Sequence, residues 1–181
     1  MNRREALKRT ALLLGVAASP AAITQALAQA TRPDGHRYLT AGQFATVDAM
    51  AETILPATDT PGAREAGVPA FIDIIFGQFS TPEQETALAQ GIENFNHACR
   101  TSAGAPFAEL STAQQATQLQ RLAGNEDEET RAFWRRLRQL TLLGYFSSEV
   151  AAKKVLNYDP VPGRWDPDIP VAEVNNVAWF E

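Results

Sequence analysis

The 181-residue chain is poor in the residues that usually carry chemistry: it has one cysteine, Cys99, and two histidines, His36 and His97. A single cysteine excludes an internal disulfide and a multi-cysteine metal site. His97 and Cys99 are two residues apart, so on a helix they point to different sides. Cys99 falls on an apolar stripe and His97 off it, which predicts a buried thiol and a surface histidine rather than a metal or nucleophile pair. His36 has no partner in sequence. There is no nucleophile elbow, phosphate-binding glycine loop, dinucleotide fingerprint or CxxCH haem-attachment motif. Asp59 with Glu65, and Asp166 with Asp168, lack the spacing of a calcium loop and are expected to form turns or solvated charge. Arg131, Arg135, Arg136 and Arg138 wind around one helix, with Glu128 at or near pairing distance from the first two, so they form a solvated or interface face. No active site contained within this chain is expected.

Charge of one sign is also scarce. The formal net charge is −5, with 16 basic and 21 acidic residues. Residues 1–28 hold four basic groups (Arg3, Arg4, Lys8, Arg9) and one acid (Glu5), so the remainder carries 12 bases against 20 acids, a net charge of −8. A surface that acidic is a poor match to nucleic acid, where phosphate neutralisation supplies most of the affinity, and to an anionic membrane. Apolar content of 45% and charge of 20% are those of a folded globular chain rather than a disordered one.

What is present begins with an address. The first 30 residues have a basic head, an apolar run from Ala11 to Ala18 and small residues suited to cleavage, the three parts of an export signal. The run is broken by Gly15 and Pro20 and falls short of the ~20 residues a membrane span needs. In the head, Arg3 and Arg4 are followed by Leu7 and Lys8, the twin-arginine pattern, with Ala6 at a position that often holds phenylalanine. Ala26 and Ala28 frame the expected cleavage site, with Ala28 and Ala30 as an alternative. General secretory export and a plain amphipathic N-terminal helix are the competing readings. The expected destination is the periplasm. The twin-arginine route carries folded cargo, often loaded with a cofactor, yet nothing downstream looks able to bind one.

The mature chain reads as helices. After a loose lead-in (29–39), Thr40 and Gln43 have capping-box spacing, and Phe44, Val47, Ala51, Ile54 and Leu55 form a stripe that Pro56 ends. Residues 58–67 are rich in turn formers. Pro69 suits the first position of a second helix whose Phe71, Ile72, Ile74, Ile75, Phe76 and Phe79 make it apolar nearly all round, as in a core or under a partner. Thr81 with Gln84, and Ser111 with Gln114, repeat the capping-box spacing ahead of Leu88, Ile92, Phe95, Cys99 and of Leu119, Leu122. The acids of 126–129 suit the positive end of the helix that follows. That helix places Phe133, Leu137, Leu140, Thr141, Gly144 and Tyr145 on one side, and Ser147 or Ser148 starts a short successor.

The predicted fold class is all-α: a single compact bundle of five or six helices over residues 40–157, then an extended Pro/Trp-rich tail over 158–181. Four prolines in the tail exclude a long helix. Tyr158, Trp165, Trp179 and Phe180 are large apolar groups that favour burial, either against a partner or back over the chain's own helices.

Read together, these segments resemble the small third subunit of the gluconate 2-dehydrogenase family of flavin-dependent sugar oxidoreductases. The resemblance spans about residues 38–166 and rests on Leu39-Thr40, Ile54-Leu55-Pro56, Thr60-Pro61-Gly62-Ala63, Glu65-Ala66-Gly67-Val68, Phe107-Ala108-Glu109-Leu110-Ser111, Leu140-Thr141-Leu142-Leu143-Gly144-Tyr145-Phe146 and Tyr158-Asp159-Pro160-Val161-Pro162-Gly163. None is a catalytic signature; their order and spacing carry the likeness. The resemblance implies a non-catalytic subunit that pairs with a large FAD-binding flavoprotein of the glucose-methanol-choline type, with a membrane-anchored multi-haem cytochrome c as a further partner. It also implies that the twin-arginine leader here carries both chains across the membrane, which accounts for a cofactor-type address on a chain with no cofactor site. Phe76, Tyr145, Phe146, Tyr158, Pro162, Trp165 and Trp179 are the expected partner contacts. A free-standing periplasmic binding or chaperone-like helical protein is the alternative, and a self-sufficient enzyme a third.

Overall fold

The structure, a computed structural model, describes residues 38–156 together with 158, 163 and 170–174. Among them are six α-helices and no strand: α1 (Ala41–Ile54), α2 (Val68–Phe79), α3 (Pro82–Ala103), α4 (Thr112–Ala123), α5 (Glu128–Phe146) and α6 (Glu149–Lys154). Two 3₁₀ turns, Phe107–Glu109 and Val171–Val174, complete the set. The fold is all-α, as the periodicities predict.

The helix starts are made by local chemistry. Thr40 accepts the Gln43 N–H at 3.3 Å while its own N–H donates to Gln43 Oε1 at 3.1 Å. Thr81 and Gln84 close the same box at 3.4 and 3.1 Å. Each pair satisfies two donors that a helix N-terminus otherwise leaves orphaned. Asp127 caps α5, accepting the Thr130 N–H at 2.9 Å and its hydroxyl at 2.8 Å, and those two bonds hold its carboxyl below the usual range. Ser148, not Ser147, caps α6. Pro69 is the second helical residue of α2 rather than the first, because Gly67 takes the cap position with a left-handed φ of 74°. Helix α6 ends at Lys154.

Helix α1 touches α2, α3, α4, α5 and the Phe107–Glu109 turn, so the bundle is assembled around it as much as around α5. Helix α2 lies between α1 and α5, burying Phe71, Ile72, Ile74 and Ile75, while Phe76 and Phe79 pack half-buried on the same core. Its all-round apolarity therefore reflects a central position. The α2–α5 crossing is close: a Cβ on Gly144 would sit 2.7 Å from the Phe71 ring.

Two polar devices sit inside this core. Asn96 donates to Thr46 Oγ1 at 2.8 Å and accepts the Phe107 N–H at 3.1 Å, while Gln115 donates to the Phe107 carbonyl at 3.1 Å. These bonds fasten the Phe107–Glu109 turn to α1, α3 and α4. Asp73 on α2, 2% exposed, accepts the N–H groups of Tyr38 and Leu39 at 3.1 and 2.7 Å. Each is the kind of satisfied buried polar group that would be costly if its partners were absent.

Candidate partner-binding surface

The C-terminal end of α5 turns sharply into α6 and packs beside the 55–67 loop. The turn is set by Ser148, whose hydroxyl donates to the Tyr145 carbonyl at 2.7 Å and accepts the Ala151 N–H at 3.0 Å. Tyr145 and Phe146, neighbours in sequence, then diverge. Tyr145 is 4% exposed and its hydroxyl donates to the Pro61 carbonyl at 2.6 Å. Phe146 is 42% exposed and meets the Tyr145 ring edge-on at 5.3 Å. Leu142, one turn earlier on the Phe146 side of the helix, and Val150 on α6 are half-buried. Among the described residues Tyr38 and Phe146 are the two exposed large apolar side chains. Tyr145, one of the expected partner contacts, is turned into the fold, where its hydroxyl ties α5 to the loop.

The loop is organised by one carboxylate. Glu52, on the last turn of α1, accepts the Ala57 N–H at 3.1 Å and the Arg64 N–H at 2.9 Å. Gly62 lies so close that a Cβ there would be 2.5 Å from Glu52 Oε1. The Ala63 N–H returns to the Leu55 carbonyl at 2.9 Å. Two exposed ion pairs tie the loop outward, Arg64 to Asp48 on α1 at 2.8 Å and Lys154 on α6 to Glu65 at 2.6 Å. Such pairs add little energy at a surface, but here they fix direction. The result is a pre-formed loop beside an apolar patch, a surface that can bind without first paying to order itself.

The remaining sequence candidates sort cleanly. Phe76 is half-buried against the core and Tyr158 half-buried where the tail begins. Gly163 is exposed with a left-handed φ of 65°. Pro162, Trp165 and Trp179 lie outside the described residues, as do Arg3, Arg4, Leu7, Lys8, Ala26 and Ala28. Cys99 is fully buried, which pushes its thiol up to about 11, and His97 is exposed, so they make no pair. Asp59 accepts the Thr58 hydroxyl at 2.9 Å and Glu65 is engaged with Lys154, each in a structural role. Arg131 and Arg135 both pair with Glu128, which holds that carboxyl down. Arg136 is half-buried, and burial lowers its guanidinium. No group of three or more His, Cys, Asp or Glu able to hold a metal occurs among the described residues, and no helix of the described residues is long and apolar enough to cross a membrane.

Glu52 and Pro61 were not legible as functional positions. Their partners are at residues 57, 62, 64 and 145, and the 84-residue separation of Pro61 from Tyr145 leaves no local pattern.

A family model described as gluconate 2-dehydrogenase subunit 3 matches residues 41–163. The chain belongs to the gluconate 2-dehydrogenase subunit 3 family. The match opens at Ala41, the first residue of α1, and closes at Gly163, so it takes in all six helices and the turn-rich start of the tail. In this subunit 3 chain the paired Thr60-Pro61-Gly62-Ala63 and Gly144-Tyr145-Phe146 segments, distant in sequence, are one place in space. No curated protein and no solved structure matches the chain.

Proposed function

We propose that this chain is the non-catalytic small subunit of a periplasmic FAD-dependent sugar or gluconate dehydrogenase complex. Its task is to support assembly of a large flavoprotein subunit of the glucose-methanol-choline type and to bring it across the membrane by the twin-arginine route. FAD would belong to that partner, and haem c to a third, membrane-anchored cytochrome subunit. The observation that carries this reading is the surface around Phe146 in a chain of the subunit 3 family: a large ring held out in water beside a loop already fixed by Glu52 and Tyr145. Leu142, one turn earlier on the same side of α5, extends that surface, and the aromatic tail over 158–181 would add to it. A pair that stays together during translocation needs an interface of at least the standard ~1,200–2,000 Å², more than the Phe146 patch alone provides. The tail is the natural source of the remainder.

The test is to express the full chain with a C-terminal tag beside its flavoprotein and recover the tag from the periplasm. A yellow co-eluting complex, lost from the periplasm when Arg3 and Arg4 are both changed to lysine, is the expected result. A colourless, monodisperse chain exported by itself would overturn the proposal and favour the free-standing helical binding protein.

A further inference from the structure

A groove of about 1150 Å³ runs between α3, α4 and the first half of α5. Its floor is Leu88, Phe95, Leu122 and Phe133, and the small residues Ala98 and Ala132 open its walls to close approach. That volume exceeds the ~300–1,000 Å³ of small-molecule sites. The lining follows α3 from Pro82 to Ser102, a length of about 30 Å. These are the proportions of a groove for a helix.

Two stretches of this chain flank the helical body and carry apolar side chains, and charge separates them. The lining bears Glu83, Asp127 and Glu129 against Arg121 and Arg136. The tail over 158–181 has five acids and one base, whereas residues 1–30 have four bases and one acid. The leader also has the pattern a helical groove reads: Leu7, Ala11, Leu14 and Ala18 recur at four- and three-residue steps, one stripe about 17 Å long on a helix.

The junction of leader and body is fixed near the groove. Tyr38 is held by its N–H to Asp73 at 3.1 Å and by Gln78 donating to its hydroxyl at 2.7 Å, with its ring where a Cβ on Gly77 would lie, 1.9 Å from the ring. Pro82, the first residue of the groove lining, is five residues beyond Gly77 and so at most about 18 Å away. Residues 19–37 then give up to about 63 Å of chain between the apolar run and Tyr38. The run reaches any part of the groove.

We propose that the groove between α3, α4 and α5 is the seat of the chain's own N-terminal leader, with the Leu7–Leu14 stripe on the apolar floor and the basic head toward the carboxylates Glu83, Asp127 and Glu129 of its lining. This goes beyond the export role, since it concerns where the leader rests on the folded precursor and not which machinery reads it.

The test uses the unprocessed full chain. Trypsin cleavage after Arg3, Arg4, Lys8 and Arg9 is timed by mass spectrometry, and a photo-crosslinker at Leu14 reports neighbours. Ala98→Arg and Ala132→Arg place charge in the groove at exposed positions. Cleavage in the native chain is expected to be about tenfold slower than in either variant, the loss expected when a charge enters a largely apolar contact. Leu14 is expected to cross-link within the same chain to α3 or α5. Equal cleavage rates overturn the proposal, as do cross-links confined to another chain. Protection that grows with protein concentration assigns the groove to a second copy and overturns it too. If a variant melts below the native chain, the native cross-links decide. Neither readout involves export or a flavoprotein, so this proposal and the proposed function fail separately.

Discussion

At the scale of single residues, adjacent side chains have opposite duties. Tyr145 turns inward and spends its hydroxyl on Pro61, while Phe146 is left in solvent. Tyr145→Phe keeps the ring and removes one hydrogen bond, so it should cost about 0.5–1.5 kcal/mol of stability. A lowered urea midpoint with an unchanged slope is the expected record; no shift would mean the loop is held by Glu52 alone. Buried polar residues were the least legible from sequence. Thr46, Asp73 and Asn96 fall on or beside apolar stripes and look like interruptions. Their meaning lies in acceptors and donors 11 to 50 residues away, which no local pattern encodes. Cys99 was legible, because stripe position alone predicts burial and burial alone silences the thiol.

At the scale of elements, capping chemistry and turn residues placed the boundaries to within a residue or so. Helix starts are local hydrogen-bond problems solved by the next three residues, which is why Thr40, Thr81 and Ser111 announce them. The start of α5 also carries a pH dependence. Its bonds from Thr130 hold the Asp127 carboxyl below its ordinary value. A depressed folded value means the contribution is complete above the unfolded value of about 3.9 and is lost as pH falls through the folded one. Asp127→Asn keeps an acceptor at the cap but cannot titrate. Its stability relative to the native chain should therefore be lower at neutral pH and draw level in acid, as thermal melts from pH 7 down to about 2 would record. A constant difference across that range would mean the carboxylate charge adds nothing to the cap.

At the scale of the whole molecule, the core and the surface answer to different tests. Phe146→Glu alters an exposed position, so the isolated chain should melt within ~0.5 kcal/mol of the native one. The same change puts a charge in the middle of the proposed interface, where a hot-spot aromatic is worth about 2 kcal/mol or more. Loss of flavoprotein co-purification with an unchanged melt is expected. Retention of the complex would move the interface elsewhere, with the tail as the next place to look.

The sequence by itself determined the all-α class, the helix starts, the inert cysteine and the family, because each depends on periodicity, capping or order along the chain. Tertiary structure decided which apolar residues are core and which are surface. Helix α2, apolar nearly all round in sequence, packs between α1 and α5 with Phe76 and Phe79 left half-buried, and Tyr145 turns inward to the Pro61 carbonyl. Tertiary structure alone also made the α3–α4–α5 groove, since its lining comes from three helices separated in sequence that only packing brings together. Periodicity tells a side chain to leave water; only packing decides what it meets.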